Sequence, residues 1–125
     1  MHRAARLLNR CQRQVKAAFW LAAAAVVVLS LLPRPIAVGD FEGSDKVGHF
    51  LAYLALGLLL GLGWQLTRTR PLIRAFLSLV LLGALIELAQ GLLPIARTCS
   101  ALDLLADALG AGPGLMASAW FWRRQ

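Results

Sequence analysis

The sequence predicts an all-α integral membrane protein, a four-helix bundle with both termini in the cytoplasm. Three observations lead to this fold class. The chain of 125 residues is 59% hydrophobic and only 15% charged, whereas soluble domains are about 25% charged. Its apolar residues form four long stretches, and most of its basic residues flank these stretches, as in membrane proteins. A chain of this length is expected to form one domain.

The four apolar stretches define the expected spans in chain order. Crossing about 30 Å of hydrocarbon takes about 20 helical residues. The spans are expected at residues 17–32, 47–66, 72–93 and 101–122. The first is short, so the Lys16 side chain must extend its ammonium group to the interface. Residues 1–16 are then a basic cytoplasmic segment, residues 17–122 the membrane domain and residues 123–125 a cytoplasmic tail.

The start of the chain also has features of a cleaved signal peptide. Basic residues precede the first apolar stretch, and residues 37–39 have the small side chains of a cleavage site. However, the basic region is long, and Pro33 and Pro35 separate the apolar stretch from the candidate cleavage site. We therefore favour a retained first helix.

The basic residues predict the orientation in a cell (inner) membrane. Lysine and arginine concentrate in cytoplasmic segments. Ten of the 13 basic residues fall on one side of the expected topology: Arg3, Arg6, Arg10, Arg13, Lys16, Arg68, Arg70, Arg74, Arg123 and Arg124. Both termini are therefore expected inside. The net charge of +7 does not indicate a nucleic-acid partner, because the basic residues flank apolar runs instead of alternating with aromatic residues.

The acidic residues fall on the opposite, outer half. Spacings of three and four residues place side chains on one face of a helix. Such faces are formed by Asp45, His49 and Tyr53 with Lys46, by Glu87 with Gln90, and by Asp103 with Asp107. A charged carboxylate facing lipid costs about 2.5–3.5 kcal/mol or more, so we expect the three faces to meet. Arg97 lies in the connection between the third and fourth spans, and we expect its side chain to reach the same polar cluster.

Pairs of glycines four residues apart occur twice, at Gly57 with Gly61 and at Gly110 with Gly114. Such pairs let membrane helices approach closely, although they also arise by chance in apolar helices. They predict close helix packing, and small-residue faces of this kind also offer a surface for a homo-oligomer.

Three segments together resemble the motifs of the VanZ-like membrane proteins. Residues 45–53 resemble the pattern D-K-x-x-H-F-x-x-Y, and Glu87 with Gln90 is similar to E-x-x-Q. The third segment, R…S…D-x-x-x-N-x-x-G, is matched by Arg97, Ser100, Asp103, Asp107 and Gly110, with aspartate at 107 where the family usually has asparagine. The resemblance covers residues 45–114. It implies a bacterial multipass protein of the cell envelope, associated with glycopeptide (teicoplanin-type) resistance or envelope stress.

Three functions fit the predicted cluster, and a structural polar clamp that only fixes helix packing is the alternative to all three. The first is a non-enzymatic protein that binds a membrane-lipid or cell-wall-precursor head group. The second is an intramembrane hydrolase or transferase that uses His49, Glu87 and Asp103, alone or with a divalent metal. The third is a small proton-coupled transporter using Glu87 and His49. Because no metalloprotease or serine-hydrolase motif is present, we assign no catalytic residue and expect neither a resident metal nor a cofactor.

Overall fold

The computed structural model describes residues 2–33, 39–95 and 98–125, with the backbone alone for residues 2–9. These residues form four helices: α1 (His2–Ser30), α2 (Ser44–Trp64), α3 (Thr69–Leu92) and α4 (Ala101–Arg123). The predicted all-α, four-helix fold class is confirmed. The candidate cleavage site lies mostly outside the described residues.

The first helix is much longer than the apolar stretch that predicted it. It contains 29 residues and begins at His2, so the basic segment continues the helix and is not a separate element. The reason lies in its composition, because residues 2–16 contain neither glycine nor proline and consist largely of good helix formers. The basic charges therefore extend along the axis of the helix that carries the first apolar stretch.

Three helical segments among the described residues are long and apolar enough to cross a membrane: Arg10–Ser30, Ser44–Trp64 and Thr69–Leu92. The molecule is thus a membrane protein by the character of its helices. The fourth helix contains 23 residues and is long enough to span. However, Asp103, Asp107 and a glycine-rich middle lower its mean hydropathy, so a fourth span remains a prediction.

Contacts at the two ends of the bundle define an up-down-up-down arrangement. At one end, Gln12 of α1 and Trp122 of α4 donate side-chain hydrogen bonds to carbonyls of the last turn of α2. At the other end, the first turns of α2 and α4 meet, so these two helices run parallel. Helix α3 returns antiparallel after the short connection formed by residues 65–68, in which Gln65 adopts a left-handed conformation with φ of 53°.

We name the two ends by their side chains. The basic end holds Arg10, Arg13 and Lys16 of α1, the α2–α3 connection and the end of α4. The polar end holds the starts of α2 and α4, the end of α3 and the end of α1.

The predicted close packing of the glycine pairs is confirmed between α2 and α4. A Cβ atom added at Gly57 would lie 2.6 Å from the Ala111 carbonyl oxygen, which is too close for any side chain. Gly110 and Gly114 likewise lie directly against the α2 backbone, and Gly61 lies against Ser118. Because these glycines are buried within one chain, a homo-oligomer would have to use a different surface.

Candidate polar site at one end of the bundle

The centre of the polar end is a hydrogen-bonded pair between α2 and α4. His49 Nδ1 and Asp107 Oδ1 lie 2.8 Å apart. The parallel arrangement of the helices brings these side chains together, since each lies in the second turn of its own helix. The Asp107 side chain is only 1% exposed, and that of His49 is 14% exposed. A carboxylate is therefore held in the interior of the bundle by a histidine.

A second, shallower layer contains Asp103, Lys46 and Asp45. Asp103 Oδ2 lies 3.7 Å from His49 Nε2, and Asp103 Oδ1 lies 3.3 Å from the Lys46 ammonium nitrogen. The same ammonium lies 3.3 Å from Asp45 Oδ2. The Lys46 and Asp45 side chains are 38% and 43% exposed, whereas that of Asp103 is 10% exposed. Asp45 thus lies at the rim and reaches the cluster through Lys46.

Glu87 enters the cluster from α3 and is held by the start of α4. Its Oε2 accepts a hydrogen bond of 2.8 Å from the backbone N–H of Ser100. The Ser100 hydroxyl in turn accepts a hydrogen bond from the Asp103 backbone N–H, which caps α4. A serine three residues before an acid is a helix-start signal, so the sequence contained a clue to Ser100 as a site residue.

Glycine at position 83 leaves room for two polar groups beside α3. A Cβ atom there would lie 2.6 Å from Asp107 Oδ2 and 3.3 Å from the Tyr53 hydroxyl. Tyr53 is 1% exposed, and its hydroxyl has no hydrogen-bond partner among the described residues. Gly83 was not among the residues expected at the site, although it precedes Glu87 by four residues and so shares its helix face.

One predicted site residue, Gln90, stands apart from this centre. The Gln90 side chain donates a hydrogen bond of 2.7 Å to the Ser30 carbonyl oxygen. Gln90 therefore joins α3 to the end of α1. It is buried, and it follows Glu87 by only three residues in the sequence. Arg97 lies outside the described residues.

The described cluster is rich in negative charge and contains a candidate set of metal ligands. Four carboxylates, Asp45, Glu87, Asp103 and Asp107, share this end of the bundle with Lys46 and His49. One ligand atom each from His49, Glu87 and Asp107 lie within 4.8 Å of one another. The arrangement suits a positively charged group that approaches from the open rim.

Comparisons of the chain with protein families, curated proteins and solved structures find no match. The resemblance to the VanZ-like proteins therefore rests on the three motifs. Their residues His49, Glu87, Asp103 and Asp107 come from three helices and meet at one end of the fold.

Proposed function

We propose that this chain is a VanZ-like protein of the bacterial inner membrane whose polar end binds the head group of a lipid or a lipid-linked cell-wall precursor. The supporting observation is the meeting of His49, Glu87 and Asp107 from three helices at one buried point. The outward helix faces carry large exposed apolar side chains, including Leu77, Leu81 and Leu85 of α3. A protein that needed only a hydrophobic bundle would have no use for buried charge at this position.

The head group suited to this end carries both a phosphate and an amine. An exposed ammonium at Lys46 is available to a phosphate at the rim, while the carboxylates behind it attract an amine. A lipid in the outer leaflet would keep its acyl chains against the apolar helix faces. The proposal includes the association with glycopeptide resistance or envelope stress that the VanZ-like motifs imply.

A lipid-binding measurement tests this function. We expect the purified protein, in detergent with a metal chelator, to retain phosphatidylethanolamine over phosphatidylglycerol in native mass spectrometry. Glu87→Gln should reduce this preference about tenfold or more, because it removes one of the buried carboxylates that attract the amine. The matched control is Glu42→Gln, since Glu42 is an exposed acid of the loop before α2. Equal retention of both lipids by the unaltered protein would reject the head-group proposal.

The proposal also includes four spans and cytoplasmic termini. Arg10, Arg13 and Lys16 lie at the same end of the bundle as Arg68 and Arg123, which supports a cytoplasmic location for this end. We expect reporter fusions after Thr69 and at Gln125 to be active on the cytoplasmic side, and a fusion at Gly43 to be active outside. An external reporter at Gln125 would contradict both the fourth span and the orientation.

A second candidate is an intramembrane hydrolase or transferase acting on an envelope lipid. The observation that favours it is the 2.8 Å contact between His49 and Asp107, because a carboxylate that orients a histidine is a common general-base arrangement. Turnover of a reconstituted lipid-linked precursor, lost in His49→Ala, would favour this candidate. Binding of the precursor without turnover would favour the binding protein.

A further inference from the structure

We propose that His49, Glu87 and Asp107 form a binding site for a divalent transition-metal ion, of which Zn²⁺ and Mn²⁺ are the best fits. This replaces the sequence-based expectation that no metal is bound. It goes beyond the proposed head-group function and does not depend on it, since a metal site in this bundle could serve binding, catalysis or structure.

The three ligand atoms lie close enough together to hold one ion. One nitrogen of His49 and one carboxylate oxygen each from Glu87 and Asp107 lie within 4.8 Å of one another. Around a tetrahedral ion with ligand distances of about 2.0–2.2 Å, neighbouring ligand atoms are about 3.4 Å apart. The set therefore closes around an ion through side-chain movements of about 1 Å. All three residues lie within regular helices, so side-chain torsions are expected to supply these movements.

Glu87 has a buried carboxylate oxygen with no hydrogen-bond partner among the described residues. Glu87 is 3% exposed, and its Oε1 has no hydrogen-bond partner among the described residues. Its other oxygen is already bonded to the Ser100 backbone. A buried anionic oxygen without a partner is costly, and the nearby Asp107 and Asp103 carboxylates add repulsion. A divalent cation satisfies the free oxygen and cancels this repulsion together.

The ligand atoms are one imidazole nitrogen and two carboxylate oxygens. Imidazole nitrogen suits Zn²⁺, Fe²⁺ and related ions, whereas purely carboxylate sites suit Mg²⁺ and Ca²⁺. One imidazole with two carboxylates therefore favours a transition metal. Three protein ligands leave at least one position open for water or a ligand.

The surrounding groups resemble the outer contacts of metal sites. The Ser100 N–H holds Glu87 Oε2 in a fixed orientation, and Asp103 Oδ2 lies 3.7 Å from His49 Nε2. Ligating carboxylates in metalloproteins usually accept a hydrogen bond such as the one from Ser100, which orients them toward the ion, whereas Asp103 is only a nearby carboxylate at this distance. The Tyr53 hydroxyl is buried and has no partner among the described residues. Like Asp107 Oδ2, it lies beside Gly83 of α3.

Metal titration of the purified chain tests the proposal. The protein should carry no polyhistidine tag, and Cys11 and Cys99, which are free and exposed, should be replaced by serine in every variant. After removal of metals with a chelator, Co²⁺ serves as the spectroscopic probe, with Zn²⁺ and Mn²⁺ binding followed by calorimetry. We expect one ion per chain. The visible absorption bands of bound Co²⁺ should have the intensity typical of an ion with low coordination number.

Two conservative variants locate the ion. Glu87→Gln and Asp107→Asn should each weaken binding about tenfold or more, while the loop variant Glu42→Gln, at an exposed acid outside the cluster, should bind like the parent. Size-exclusion chromatography and circular dichroism establish which variants are folded. If Asp107→Asn fails to fold, Glu87→Gln decides the question, because its amide oxygen preserves the bond from Ser100.

Two outcomes would overturn the proposal: the parent binds no ion, or the folded Glu87→Gln variant binds as tightly as the parent. In either case the polar end would be an ion-pair network that needs no metal. These measurements use no lipid, and the lipid-retention experiment contains a chelator, so failure of one proposal is distinguishable from failure of the other.

Discussion

The two ends of the bundle join the same helices by different chemistry. At the basic end, neutral or exposed donors hold the last turn of α2: Gln12 and Trp122 bond to the carbonyls of Gly63 and Leu62, at 3.1 and 3.2 Å. At the polar end, the contacts between α2 and α4 are made by a histidine and carboxylates that are largely buried. Since neutral groups suffice at one end, helix packing alone does not explain the buried charges at the other.

The contacts at the two ends also differ in their desolvation cost. Free carbonyls at a helix end need partners, and an indole or amide donor satisfies them with little desolvation. Buried ion pairs have a high desolvation cost, and their replacement by apolar residues is often neutral or stabilising. An apolar alternative at the polar end is therefore expected to be at least as stable, which is the pattern expected of a site retained for function.

The largest effect is expected from breaking the central pair. Asp107→Ala leaves His49 without its partner, and we expect a loss of about 3 kcal/mol of unfolding free energy. The double variant Asp107→Ala/His49→Ala should lose clearly less than the sum of the two single variants. Denaturant unfolding in mixed micelles measures all four proteins. Additive losses would show that the two side chains act independently, and the comparison between the ends would fail.

A smaller effect is expected from filling the space beside α3. Gly83→Ala places a methyl group against Asp107 Oδ2, at a distance of 2.6 Å before any adjustment, and should cost about 2 kcal/mol. The matched control is Gly112→Ala, whose nearest new neighbour is the Phe76 ring at 3.7 Å. The control should be neutral or stabilising, since alanine is the better helix former. Equal thermal stability of the two variants would mean that the polar end is not tightly packed.

The smallest effect is expected at the basic end. Trp122→Phe removes the hydrogen bond to the Leu62 carbonyl but keeps most of the aromatic packing, so we expect a loss of about 1 kcal/mol. Unfolding in the same micelles gives the comparison, and the lipid and metal binding of the variant should be unchanged. A loss as large as that of Asp107→Ala would mean that both ends depend equally on their polar contacts.

The sequence correctly predicted that the acids of α3 and α4 meet the histidine of α2, and the reason is the solvent. In lipid an isolated acid is so costly that Glu87, Asp103 and Asp107 had to face one another or another polar group. Their helical spacing then identified the faces. The glycine pairs were informative for the same reason, because lipid-embedded helices associate through close packing of small residues.

The rim was harder to predict from spacing alone. Residues four apart are offset by about 40° around a helix with 3.6 residues per turn, so Asp45 and Tyr53, eight apart, point about 80° apart. Asp45 accordingly lies at the rim while Tyr53 is buried. The Gln90 contact with Ser30 was not predictable either, because the polarity of a side chain does not reveal which neighbouring helix supplies its partner.

The chain order of the helices bears on how this protein is made. Synthesis proceeds from the N-terminus, so α2 and α3 emerge from the ribosome before α4 does. During that interval Glu87 has neither the Ser100 amide nor the Asp107–His49 pair beside it. The α3 helix is therefore expected to insert at full length while its acid still lacks the partners that α4 provides. Docking of α4 supplies the Ser100 amide and Asp107, so a delay in that step is expected to leave the Glu87 side chain without these partners in the lipid.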